Sequence, residues 1–255
     1  MRLSNYRSNA IHRYWHGSAG QANYLFHTSL NEIDAFLNDH PQEFVILHID
    51  VEEGPVDASV AFIERDLMYG KCSGRMYMQN RIPQGFEVRG RVIFWRRWRD
   101  TNYSISNNAG LYVPIIDNGL TNQAGWITAN YPPVYIVAKD LYDPKNDLNL
   151  KHLSVMQGLV YAATYGGVNT YLNANTVALT SCSGYITWND IPFPYSFWTY
   201  ARGMMLSGIK MLHSQHPEGV NLGIVIGDFM NAYDAERIYQ TNGHINKQCY
   251  GVWPY

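Results

Sequence analysis

The sequence predicts one α/β domain, an irregular or incomplete TIM (β/α) barrel, and three observations predict it. Short apolar, β-branched runs alternate with helix-length segments, which is the pattern of βαβ units around a parallel sheet. The length of 255 residues suits one barrel. Hydrophobic residues make up 46% of the chain and charged residues 16%, so it can bury a sizeable core. With no repeat or linker, residues 1–255 are expected to form a single domain.

Strands are expected where apolar and β-branched residues run together over a few positions. In chain order these runs are residues 10–15, 44–49, 92–95, 134–138, 169–173 and 222–226. The first is reached from Leu3 through Ser4 and Asn5, which are typical turn residues. We therefore expect six strands, and the chain opens inside a seventh.

Helices are expected between these strands. Ser29 and Glu32 match a capping box, which predicts that a helix begins there, and Pro41 bars its continuation. The further helices are predicted at residues 58–68, 148–165, 195–213 and 232–239. Helices between successive strands imply crossover connections, and crossovers join parallel strands.

Composition and cysteine content exclude several classes of protein. A formal net charge of −2 argues against a broad nucleic-acid surface, so no nucleic-acid partner is expected. The cysteines Cys72, Cys182 and Cys249 lie far apart, which predicts neither a disulfide framework nor a zinc site. The residues after Met1 lack the apolar core of a signal peptide, and no run is apolar enough for a membrane span.

Polar residues follow the predicted strands at the ends where barrel enzymes gather their reactive groups. These residues are His16, Asp50, Arg97, Asp140 with Tyr142, Asn173 and Asp228. Carboxylates, cations and a histidine around one mouth suit an anionic, hydroxylated substrate. A phosphodiester that carries a sugar-like alcohol fits this description.

Several segments resemble the X-domain core of the bacterial phosphatidylinositol-specific phospholipases C. They are His16-Gly17, residues 29–51 (SLNEIDAFLNDHPQEFVILHIDV), residues 89–97 (RGRVIFWRR), residues 188–197 and residues 223–228. The matches occur in the family's order and spacing over nearly the whole chain. The resemblance implies a barrel of the PLC-like phosphodiesterase type that cleaves phosphatidylinositol lipids to diacylglycerol and (cyclic) inositol phosphate.

The resemblance also implies roles for individual residues. His16 is similar to the histidine that acts as general acid on the leaving diacylglycerol oxygen. Arg2 is similar to the arginine that neutralises the phosphate in calcium-independent members. Asp228 resembles the carboxylate that orients the general base. The residues that resemble those holding the inositol ring are Arg97, Asp140 and Tyr142.

The chain also departs from the family pattern. The family's first histidine, the general base, lies on an opening strand ahead of the position of Arg2, together with an aspartate. Because the chain begins at that arginine, we expect a barrel that is truncated at its N-terminal end. General-base catalysis contributes typically 10²–10⁴-fold, so impaired activity is the consequence expected for such a form.

The expected partners follow from the same resemblance. They are a phosphoinositide or a related phosphodiester lipid, transient contact with a membrane interface, and a secreted or extracytoplasmic location. Aromatic residues in 188–198 would enter the interface. No cofactor is expected. Calcium at Asp50, beside Glu52 and Glu53, is the minority alternative, since Arg2 lies where a metal would supply charge.

Other interpretations remain open at this point. Asp228 is also a suitable helix cap, Arg97 fits a solvated cationic face, and Asp140 with Tyr142 fits a turn. The histidines without a matched counterpart are interpreted as structural: His12, His27, His40, His48 and His152. The alternative functions are a glycerophosphodiester phosphodiesterase-like enzyme, against which Arg2 counts, and a non-catalytic lipid- or carbohydrate-binding relative.

Overall fold

The computed structural model divides the chain into two compact units, Met1–Pro114 and Ile115–Tyr255. The residues that it describes are 2–5, 12–15, 21–53, 56–98, 102, 104, 109–113, 123–127, 134–139, 141, 147–165, 167–169, 174–182, 194–215, 220–227, 233–238 and 241. Each unit contains a sheet covered by helices, and the two are described in turn.

The first unit is built on a mixed sheet of seven described strands. Its strands are β1 (Arg2–Asn5), β2 (His12–Trp15), β3 (Gln21–Leu25), β4 (Phe44–Glu53), β5 (Met76–Tyr77), β6 (Arg91–Arg96) and β7 (Leu111–Tyr112). The order is β3-β2-β1-β4-β6-β5, with β7 also paired to β6. Pairing is antiparallel from β3 to β1 and parallel between β1 and β4 and beyond. The centre of the sheet is therefore parallel, as the βαβ pattern predicts.

Two helices pack on this sheet, α1 (Phe26–Asp39) and α2 (Val56–Tyr69). Alternate residues of the central strands face them, because side chains alternate between the two faces of a strand. The fully or nearly fully buried cluster between helices and strands contains Leu30, Leu37, Leu47, Ile49, Ile63, Leu67, Val92 and Phe94. This cluster fixes which face of β4 and β6 turns away from the helices.

The second unit has a smaller mixed sheet of five described strands. They are β8 (Gln123–Ile127), β9 (Val134–Lys139), β10 (Gly167–Asn169), β11 (Ala174–Ser181) and β12 (Ile224–Ile226). The strands β9, β11 and β12 are parallel, whereas β8 and β10 are antiparallel to their neighbours. The helices are α3 (Leu148–Tyr165) and α4 (Pro194–Gln215), and residues 233–238 are also helical. Gly158 lets α3 lie close to β11, since a Cβ there would sit 2.5 Å from Thr180 Oγ1.

Most predicted elements are confirmed. Strands occur at residues 12–15, 44–53, 91–96, 134–139 and 224–226. The helices predicted at 58–68, 148–165 and 195–213 are present with small extensions. Parallel strands alternating with helices give an α/β architecture, and the described strands form two separate sheets rather than one closed ring.

Several predictions are wrong. The helix α1 begins at Phe26, so Ser29 is a buried residue inside the helix and not its N-cap. Strand β3 runs directly into α1 at Leu25, and no side chain caps the helix. Ser4 and Asn5 pair with β2 as part of β1 and form no turn. Of the strand expected at 169–173, the structure describes Asn169 alone, which ends β10 and pairs with Ala174 of β11, and residues 170–173 lie outside the described residues.

The sheets are also not purely parallel, and five strands were not predicted from the sequence: β3, β5, β7, β8 and β11. No helix in the described part of the chain is both long enough and apolar enough to cross a membrane.

Candidate active site

The candidate site lies on the face of the first sheet that turns away from α1 and α2. Leu47 and Ile49 of β4 face the helices, so His48 and Asp50 lie on the opposite face. The same alternation in β6 places Trp95 and, just beyond the strand, Arg97 on that face. These residues lie toward the carboxyl ends of two neighbouring parallel strands.

Asp50 and Arg97 form an ion pair at this edge. The Arg97 Nη1 atom lies 3.3 Å from Asp50 Oδ2, and the side chains are 14% and 25% exposed, respectively. The other carboxylate oxygen, Oδ1, accepts a hydrogen bond from the Val51 N–H at 2.9 Å. The Arg97 backbone N–H donates to the Ile49 carbonyl oxygen at 3.0 Å. Backbone and carboxylate together therefore hold the guanidinium at the end of β6.

Strand β1 adds Arg2 to the same row. Its Cα pairs with that of Asp50 in the parallel register of β1 and β4. The last registered pair of β4 and β6 is Ile49 with Arg96, so Arg97 follows on the other side of Asp50. The backbone thus places Arg2, Asp50 and Arg97 on three adjacent strands. A carboxylate between two arginine positions suits an anion that also carries hydroxyl groups.

His48 lies two residues before Asp50 in β4, on the same face of the sheet as the ion pair. Its Nε2 atom is 3.3 Å from the Val113 carbonyl oxygen, and its ring meets Trp95 edge-on, with centroids 6.2 Å apart. Burial and the nearby positive charge of Arg97 lower the pKa of His48 to about 3, so the imidazole is neutral at physiological pH. The prediction that His48 has a structural role stays untested. The sequence analysis did not predict that His48 lies close to Arg97. Its spacing of two residues from Asp50 on a strand is the signal that could have revealed it.

The other predicted site residues lie outside the residues that the structure describes. His16 follows β2, Asp140 follows β9 with Tyr142 two positions later, and Asp228 lies two positions beyond β12. Residues 170–173, among them Asn173, also lie outside the described residues.

The end of β9 is described as far as Lys139. The Lys139 ammonium donates to Gln157 Oε1 of α3 at 2.9 Å, so this side chain lies on the helix-covered face of the second sheet. Burial lowers the pKa of Lys139.

The calcium alternative finds no supporting geometry in the described part of the chain. The Asp50 carboxylate pairs with a guanidinium, which already supplies positive charge there. Among the described residues, no three His, Cys, Asp or Glu side chains come together in a way that could hold a metal ion.

The chain shares its fold with solved structures of bacterial phosphatidylinositol-specific phospholipases C. A structure of the Staphylococcus aureus protein, from work on its membrane binding, matches with a TM-score of 0.70 and 16% identity, over 94% of this chain and 78% of that one. A second S. aureus structure matches with a TM-score of 0.66 and 15% identity, over 89% and 72% of the two chains. The Listeria monocytogenes protein matches with a TM-score of 0.63 and 18% identity, over 94% and 76%.

No protein-family model matches the chain, and no curated protein matches it in sequence. At such low identities the structural likeness shows a common fold. This shared fold agrees with the resemblance of the sequence to the bacterial phosphatidylinositol-specific phospholipases C.

Proposed function

We propose that this chain is a phosphoric diester hydrolase or lyase that cleaves phosphatidylinositol-type lipids into diacylglycerol and (cyclic) inositol phosphate. The observation that carries the proposal is the Asp50–Arg97 ion pair, which joins the carboxyl-terminal half of β4 to the residue that follows β6. It occurs in a chain whose fold is that of solved phosphatidylinositol-specific phospholipases C.

The proposed reaction is an internal displacement at phosphorus. A general base, which the family pattern supplies from a strand ahead of Arg2, takes the proton of the inositol 2-hydroxyl, and that oxygen attacks the phosphorus. The bond from phosphorus to the glycerol oxygen breaks, and His16, as imidazolium, gives its proton to the departing oxygen. A histidine suits this role because its ordinary pKa allows both protonation states near neutral pH.

The arginines would stabilise the charge that develops on the non-bridging oxygens. A planar guanidinium donates two parallel hydrogen bonds to two such oxygens, a fork geometry that the single nitrogen of an ammonium group does not provide. Asp50 would keep Arg97 in place, and Arg2 would approach the phosphate from the neighbouring strand. Asp228 would orient the general base, while Asp140 and Tyr142 would bind the inositol ring.

The proposal extends to the whole chain. Residues 1–255 would act as one catalytic domain, an irregular or incomplete TIM barrel of the PLC-like phosphodiesterase type, supported by the length over which the fold is shared. The enzyme would need no cofactor, touch the membrane interface transiently and work outside the cytoplasm.

The test measures release of cyclic inositol phosphate from phosphatidylinositol vesicles, first in EDTA and then with calcium. The proteins are the unaltered protein, with any residues encoded ahead of Met1, and the variants His16→Ala, Arg97→Gln and Arg89→Gln. Arg89→Gln is the matched control, because it changes an exposed arginine at the entry to β6. We expect turnover in EDTA, a loss of about 10²-fold or more in His16→Ala and Arg97→Gln, and no change in Arg89→Gln.

Near-normal turnover by His16→Ala would sink the assignment of the general acid. Turnover that requires calcium would contradict the metal-free mechanism. Tight binding to vesicles without any turnover would favour the non-catalytic relative. Cleavage of glycerophosphodiesters alone would favour the glycerophosphodiesterase-like alternative.

A further inference from the structure

A groove on the helix side of the first unit is separate from the site described above. It lies between the beginning of α1 and the end of α2 and has a volume of about 710 Å³. Its floor is Leu30, which belongs to the core cluster between the helices and the sheet. The Asp50–Arg97 pair occupies the opposite face of that sheet, so the groove has no part in the proposed reaction.

Positive charge dominates the groove. Arg65 and Lys71 line it and are exposed, and Asp66 is the one carboxylate among the described lining residues. Asp66 lies 3.7 Å from Arg65, so it offsets one cation only in part. The Lys71 ammonium has no ion-pair partner within the described part of the chain. One full positive charge is therefore available to a ligand.

The groove also presents hydrogen-bond donors and an aromatic side chain. The Arg65 guanidinium lies over the Phe62 ring, 4.8 Å from its centroid, which limits where its N–H groups point. His27 and Asn31, one helical turn apart on α1, add side-chain N–H donors. Tyr69 is 75% exposed, unusually open for a large aromatic side chain. Together they offer charge, hydrogen bonds and an aromatic surface within one cavity.

We propose that this groove binds a phosphate-bearing anion. Lys71 and Arg65 neutralise the phosphate oxygens, Asn31 and His27 donate hydrogen bonds to them, and Tyr69 packs against the organic part of the ligand. The same chemistry is offered by the head group of an anionic lipid and by a soluble phosphate ester. This inference stands independently of the proposed catalytic function.

The experiment uses the full protein and binding alone as its readout. Inorganic phosphate is titrated into ¹⁵N-labelled protein at constant ionic strength, and the backbone amide signals of Asn31, Gly70 and Lys71 are followed. In a second arm, flotation measures binding to vesicles of phosphatidylcholine with and without phosphatidylglycerol. Both arms are repeated with Arg65→Gln, Lys71→Gln and the control Lys210→Gln, which removes an exposed charge from α4.

We expect saturable shifts confined to the groove and about tenfold weaker binding in each groove variant, because each removes one charged contact. Lys210→Gln should bind within twofold of the unaltered protein. Saturation by inorganic phosphate without vesicle binding identifies a soluble ester as the ligand, and groove-dependent binding to anionic vesicles identifies a lipid head group.

Two results would overturn the proposal. One is the absence of saturable groove shifts and of anionic vesicle binding in the unaltered protein. The other is binding that Lys71→Gln and Lys210→Gln weaken equally, since only general charge would then matter. Circular dichroism of each variant confirms that the fold is retained.

Discussion

Coupling between Asp50 and Arg97 is the sharpest physical consequence of the candidate site. Exposed ion pairs contribute about 0.2–1 kcal/mol, whereas removing one partner of a buried pair costs about 3–5 kcal/mol. With side chains 14% and 25% exposed, this pair lies between those limits. We therefore expect a coupling free energy of about 1–2 kcal/mol.

The single substitutions should differ in their effect. Asp50→Asn keeps the shape of the side chain but leaves the Arg97 guanidinium in place without its counter-charge, so it should lower the free energy of unfolding by about 2 kcal/mol. Arg97→Gln leaves Asp50 with the hydrogen bond from Val51, which satisfies part of the carboxylate. Its effect should be smaller, about 1 kcal/mol.

The assay is a double-mutant cycle by urea unfolding of the unaltered protein, both single variants and the double variant. Amide hydrogen exchange of Arg97 adds a local readout, because its N–H donates to the Ile49 carbonyl oxygen between β4 and β6. If the two substitutions add within about 0.3 kcal/mol, the pair does not stabilise the site and the reasoning is refuted.

Three further predictions concern the same unit. The pKa of His48 is lowered from 6.5 to about 3, so the unfolded chain takes up a proton first and stability should fall as the pH drops from about 6.5 toward 3. His48→Gln should flatten that part of a urea-unfolding profile, and a slope unchanged from that of the exposed control His40→Gln would contradict it. Gly110→Ala should destabilise by about 2–4 kcal/mol in urea, because φ is +83° and a Cβ would clash with the Phe94 ring and the Phe94 carbonyl oxygen. Gly74→Ala, with open space around its Cβ position, should be nearly neutral, and equal losses in both would refute the packing argument. Burial raises the pKa of Cys72 to about 11, and its thiol donates to the Leu30 carbonyl oxygen at 2.9 Å. A disulfide reagent at pH 8 should therefore modify Cys72 only after denaturation, and rapid modification of the native protein would contradict the burial.

The sequence was a good guide wherever one strong local signal was present. The strand predicted at 44–49 and the helix predicted at 148–165 carry long apolar or amphipathic patterns. Both are found there, and the strand continues to Glu53. Strand β11 was missed because its sequence, ANTVALTS, mixes polar residues into the run. Three of these, Thr176, Thr180 and Ser181, are nevertheless buried in the fold, which periodicity cannot show.

Tertiary context explains the other misses. The capping box at Ser29 is a valid local motif, but β3 feeds the chain into a helix that begins three residues earlier. Of the candidate site, the sequence predicted Arg97 and Asp50 separately, each after a strand. Arg97 does follow β6, whereas Asp50 lies inside β4, which continues to Glu53. Their contact, and the position of Arg2 beside them, depend on pairing between strands far apart in the chain.

The two-faced character of β4 bears on how this protein can vary. One face supplies Leu47 and Ile49 to the core, and the other carries His48 and Asp50. Inserting or deleting one residue in this strand would exchange the two sets, placing a carboxylate in the core and an isoleucine at the site. A change of two residues would preserve the faces and move the site by one step along the strand. The packing of Leu47 and Ile49 in the core thus determines where the ion pair lies. Sequence variation in β4 is therefore limited to substitutions and to insertions or deletions of two residues.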